Sequence, residues 1–121
     1  MPNNDERFEW VKRLKELQEE NIRLKISLSG MIKRGVRPDV LSELETFHNR
    51  FLGIDSAISG VKLKISVQQL ITEQEVLYHN KTDVLANKHE KLISEITKIE
   101  NDFITLTQDY NTFIRELPDA N

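Results

Sequence analysis

Glu45 and His48 stand three residues apart, the Glu-x-x-His spacing that turns a carboxylate and an imidazole to one face of a helix. Helical bundles use this pair to hold metal ions, but a two-metal site needs a second such pair and two further glutamates. Glu75 and His79 are four residues apart, and His89 is followed by Glu90, so no second true motif exists. Glu and His are also common on solvated helix faces. The expectation is therefore no metal and no cofactor.

Other chemistry is thinner still. The chain has no cysteine, which removes disulfides, thiolate catalysis and Cys-zinc sites together. No Gly-x-Ser-x-Gly elbow or phosphate-binding glycine loop is present. The run His89-Glu90-Lys91-Leu92 resembles the His-Glu dipeptide at which helical-hairpin histidine kinases are phosphorylated. A phosphotransfer bundle would carry an exposed histidine with a lysine and a glycine shortly after. His89 has Lys91 but no glycine close by, whereas His48 has Arg50 and Gly53 at a looser spacing. Neither completes the pattern, so no catalytic residue is assigned and the chain is expected not to be an enzyme.

The bulk composition agrees with that expectation. The chain has 121 residues, 38% hydrophobic and 31% charged, with only four glycines and three prolines. This is the balance of long helices with solvated outer faces, and it is poor in the turn residues a barrel or sandwich requires. The net charge of −3 and the interleaving of Lys12, Arg13, Glu16, Glu19 and Glu20 argue against a nucleic-acid binder, which carries a surplus of cations. Met1 to Glu9 is polar and acidic and predicts no secretory signal, and no apolar run approaches the roughly 18 residues that span a bilayer. The expected compartment is the cytoplasm, with no membrane or nucleic-acid partner.

Along the chain, apolar residues fall three and four apart, the signature of a helix with one buried stripe. The first seam is Trp10, Leu14, Leu17, Asn21, Leu24, Leu28 and Met31, with a single polar member. Asn4 or Asp5 can cap its start; Lys33 and Arg34 suit its negative end, and Gly35 can close it in a left-handed conformation. Pro38 suits the first turn of a second helix, whose seam is Leu44, Phe47, Phe51, Ile54, Ile58, Val61 and Ile65. Beyond Gln68 the apolar positions change phase, to Leu70 or Ile71. Such a change marks a different partner or a local change of winding. A second turn is expected at 78–83, where Asn80 and Asp83 resemble a capping box. The third seam runs Leu85, Leu92, Ile96, Ile99, Phe103, Leu106, Tyr110, Phe113 and Leu117, with His89 as an exception, and Pro118 ends it.

These signals predict one all-α domain over 1–121, an elongated antiparallel three-helix bundle with coiled-coil-like heptad seams and helices at 5–34, 38–79 and 82–117. One rival reading has the alternating stretches at 22–28 and 61–67, both containing Leu-Lys-Ile-Ser, as paired strands. Val11, Ile22, Ile26 and Ile32 lie off the first seam, so the apolar surface exceeds what one neighbour covers. An Asn at a heptad core position also fixes register when it pairs with its own copy, and the equal alternative is that Asn21 lies at the bundle edge and bonds to water. Together these features predict an interface for a second copy or a helical protein partner at Trp10, Leu14, Leu17, Asn21, Leu24 and Leu28, with a homodimer favoured. The expected function is a non-enzymatic scaffold or adaptor that self-associates. The alternatives are a small helical chaperone for a secreted or assembling partner, and a histidine phosphotransfer or metal-binding bundle.

Overall fold

A computed structural model describes residues 4–77 and 82–117, which form three α-helices, α1 (Asn4–Arg34), α2 (Pro38–Leu77) and α3 (Thr82–Glu116), with 35–37 as a link. At 1.5 Å per residue, α2 alone is about 60 Å long. There is no strand among the described residues. The expected second turn lies outside them at 78–81, between the end of α2 and the start of α3.

The first turn forms for the reasons its residues suggest. Gly35 has φ of 92°, a left-handed conformation that costs glycine nothing, and its N–H donates to the Ile32 carbonyl at 3.1 Å. Pro38 opens α2 where a missing N–H does no harm, and Leu41 N–H donates back to the Arg37 carbonyl at 2.8 Å. The link is too short for anything but an antiparallel neighbour. The α2–α3 pair runs antiparallel as well: Lys64 meets Glu95 and Arg50 meets Asp109. Hence α1 and α3 point the same way, and Arg13 on α1 pairs with Glu100 on α3.

The three seams meet in one core. Leu14 and Leu28 of α1, Leu44, Phe51 and Ile58 of α2, and Ile96 and Leu106 of α3 are almost wholly buried. Each such side chain contributes roughly 1.5–3 kcal/mol against leaving it in water. Tyr110 anchors one end, edge-on to Phe51 (centroids 5.4 Å apart, planes at 79°) and to Phe47 (5.5 Å, 74°). Burial raises the Tyr110 hydroxyl above its ordinary pKa of 10.0, and the Ser27 hydroxyl opposes that shift. At the other end Trp10 lies against the His89 ring, with centroids 5.1 Å apart. α2 is the common partner, and α1 and α3 make most of their contacts through it.

The alternating stretches at 22–28 and 61–67 are both helical. Their alternation arises because apolar side chains occupy two sides of each helix. Val61 and Ile65 are buried in the core while Leu63 and Val67 face outward. On α1, Leu28 is buried and Leu24 packs on the core, while Ile22 and Ile26 are exposed.

Candidate functional site

The surface that departs most from an ordinary solvated helix face is the outer side of α2. Asn49, Leu52, Ser56, Gly60, Leu63, Val67 and Leu70 repeat at three- and four-residue intervals, so they form a second stripe opposite the buried one. All seven are exposed; Leu63 retains 66% and Leu70 61% of its full accessibility. Between Leu52 and Leu70 the charged residues of α2 are Asp55, Lys62 and Lys64, and each is drawn sideways onto a neighbouring helix. Asp55 accepts from Asn21 and pairs with Lys25, Lys62 donates to Gln18 at 2.8 Å, and Lys64 donates to Glu95 at 2.8 Å. The outer stripe is thereby free of charge for about 28 Å.

Beside this stripe lies a groove of about 340 Å³ between α2 and α3. Leu63, Val67, Ile71 and Leu92 supply its apolar walls, and Lys64, Lys88 and Lys91 stand along it. Gln68 is buried there, and its Nε2 donates to no partner among the described residues. The phase change read after Gln68 has its cause here. Leu70 continues the outer stripe, and Ile71 turns toward the groove with α3.

The residues nominated from the sequence as an interface for a second chain have another placement. Trp10, Leu14, Asn21 and Leu28 are buried within a single chain, and Leu17 and Leu24 pack against the same core. Asn21 neither sits at the bundle edge nor reaches solvent. Its Nδ2 donates to the Phe51 carbonyl at 3.0 Å and to Asp55 Oδ1 at 2.7 Å, and Lys25 pairs with the other carboxylate oxygen. Its Oδ1 is buried and accepts from no partner among the described residues. A polar side chain at a core heptad position here fixes α1 against α2 within the chain. The off-seam residues Val11, Ile22 and Ile26 are exposed, as their positions imply, whereas Ile32 packs partly on the core.

The histidines are brought to separate places. His48 lies half-buried between α1 and α2, beside Ser29, Ile32, Lys33, Glu45 and Asn49. His89 sits at the Trp10 end of the bundle; its Nε2 is 3.5 Å from Glu6 Oε2, and its Nδ1 is buried without a partner among the described residues. The side chains of Glu75 and His79 lie outside the described residues. Among the described residues no group of three or more His, Asp and Glu side chains is placed to hold a metal ion. Nor is any helix of the described residues long and apolar enough to cross a membrane.

The signal for the outer stripe was present in the sequence as a second 3–4 row, but the stronger inner row masks it. Comparison with known proteins adds no further site: no family model, curated protein or solved structure matches the chain. What identifies the molecule is its architecture, an all-α three-helix bundle whose central helix is apolar on two opposite sides.

Proposed function

We propose that this chain is a non-enzymatic interaction module, a helical bundle that self-associates and offers a helix-packing surface to its partners. The observation that carries this reading is the apolar row left in water along α2: Leu52, Leu63, Val67 and Leu70. Isolated exposed apolar residues are ordinary, but Leu63, Val67 and Leu70 make an unbroken run at helical spacing, and the charge-free row continues through Gly60 and Ser56 to Leu52, which matches what a second helix needs. His89 favours the same reading over phosphotransfer at its own position. An acceptor nitrogen has to meet solvent and an incoming protein, whereas one ring nitrogen of His89 is buried and the other faces Glu6.

Sedimentation velocity over a range of protein concentrations tests the proposal, together with binding of an apolar dye. The expected result is a mass above that of one 14.2 kDa chain, rising with concentration. A monomer at every concentration that binds no dye overturns it. A stoichiometric client co-purifying with a monomeric chain would move the assignment to a helical chaperone.

A further inference from the structure

Resting on that self-association, we infer that its contact is the outer stripe of α2 packed antiparallel on the same stripe of a second copy. A two-fold contact brings each surface against itself, so any charge near the axis meets a charge of its own sign. The outer stripe of α2 avoids this, because Asp55, Lys62 and Lys64 are all held against α1 or α3. The exposed apolar residues of α1 offer no equivalent row, since Lys15 and Glu19 stand between Val11 and Ile22.

Shape selects the antiparallel direction. Large side chains fill the C-terminal half of the stripe, as Leu63, Val67 and Leu70, whereas Ser56 and Gly60 follow Leu52 in the N-terminal half, with Gly53 at its α3 edge. A Cβ built at Gly53 or Gly60 would meet nothing within 4 Å, so the space above them is open. With the two helices antiparallel, Leu63 falls on the partner's Gly60 and Val67 on the partner's Ser56. Leu70, on the α1 side of the stripe, then meets the partner's Leu52, and Gly53 and Ile71 share the α3 edge. Each contact occurs twice by symmetry. A parallel pair would set large on large and small on small, leaving one end crowded and the other open.

On the α3 flank, Lys88 and Lys91 lie beside Val67 and Ile71, while Asp102, paired with Lys98, and Asp109, paired with Arg50, lie toward the Gly53 end. Reversing the second copy carries the lysines of one chain toward the aspartates of the other. A strip about 28 Å long and about 10 Å wide buries on the order of 600 Å² on two copies together, roughly half of the smallest stable interfaces and less than half of a standard one of about 1,600 Å². The α3 flanks must close over the strip to supply the rest, so the dimer forms in a concentration-dependent way.

The absence of cysteine gives a clean test. Ser56→Cys and Val67→Cys are each expected to stay uncross-linked under mild oxidation when alone, and to give a disulfide-linked heterodimer when mixed. Leu63→Glu and Gly60→Lys, both at exposed positions, are expected to halve the mass in sedimentation while leaving the helical circular dichroism of the monomer intact. Cross-linking of each single-cysteine protein with itself would show a parallel pair and overturn the inferred direction. A wild-type dimer whose mass survives both Leu63→Glu and Gly60→Lys overturns the assigned face while leaving self-association standing. A wild-type protein that is monomeric up to its solubility limit overturns both together.

Discussion

Replacing Asn21 by alanine removes the polar contact that joins α1 to α2. Two hydrogen bonds are lost, one to the Phe51 carbonyl and one to the Asp55 carboxylate. A neutral bond contributes about 1 kcal/mol net, and one to a charged acceptor about 1.5–3 kcal/mol. Removing the buried, unpartnered Oδ1 of Asn21 offsets part of this, which leaves a net loss of about 1.5–3 kcal/mol. At this chain length about 4 °C accompanies each kcal/mol, so the melting temperature should fall by about 6–12 °C. The assay is thermal and urea unfolding followed by circular dichroism, at one fixed protein concentration because association shifts apparent stability. Asp55→Ala spares the Asn21 bond to the Phe51 carbonyl but also removes the Lys25 pair, so its cost should be similar. The double variant should be less destabilised than the two single losses added, by about 1 kcal/mol or more. A fall of under about 2 °C for Asn21→Ala, or strict additivity in the cycle, would refute the intrachain role. So would a change of oligomeric mass at unaltered stability, which would return Asn21 to an interface between copies.

The other expectations are simpler. Phe51→Ala removes a fully buried ring that meets Tyr110, and should cost about 3–5 kcal/mol in urea unfolding; a cost below about 1 kcal/mol would mean the core end is not packed as described. Gly60→Ala relieves a helix-interior glycine with open space above it. It should stabilise the monomer by up to about 1 kcal/mol, measured at dilutions where sedimentation shows one chain. A loss of stability there would contradict the open outer face. Tyr110 has its pKa raised chiefly by burial. The unfolded chain therefore releases that proton first as pH climbs past about 10, so this contribution is present below that pH and is lost as pH rises further. Absorbance titration at alkaline pH, paired with Tyr110→Phe, checks the sign: the variant should lose less stability above about pH 10 than the wild type.

The fold was legible because its inner rows obey one spacing without interruption. Leu44 to Ile65 keeps phase through Gly53 and Gly60, so two helix-weakening residues do not break the pattern, and α2 is one continuous helix. The link at 35–37 was legible from glycine conformation and proline geometry alone. The outer stripe was harder to see. Leu63 and Val67 alternate with Val61 and Ile65, and a period of two is what a strand also produces. The longer 3–4 frame from Leu44 to Ile65 favours a helix there, but it does not show that Leu63 and Val67 make a second apolar side. Asn21 was recognised as an anomaly, but its partner was not. Asp55 lies 34 residues away on another helix, and nothing local in a sequence encodes which carboxylate a buried amide will meet. The charges of α2 were unreadable for the same reason, since spacing does not reveal that Lys62 and Lys64 bend toward different neighbours.

That α1 and α3 attach mainly through α2 has a consequence for how the molecule comes apart. In a bundle whose helices all grip one another equally, loss of one contact is shared among all, and unfolding is a single event. Here α2 serves as a spine with a limb on either side. Detaching α1 breaks its contacts with α2 and the Arg13–Glu100 and Glu6–His89 pairs, and leaves the α2–α3 hairpin intact. The weaker limb should therefore exchange its amide hydrogens through partial openings that spare the other two helices. In that open form the spine would present apolar surface on the side α1 had covered as well as on its outer row, making a transiently two-sided adhesive helix.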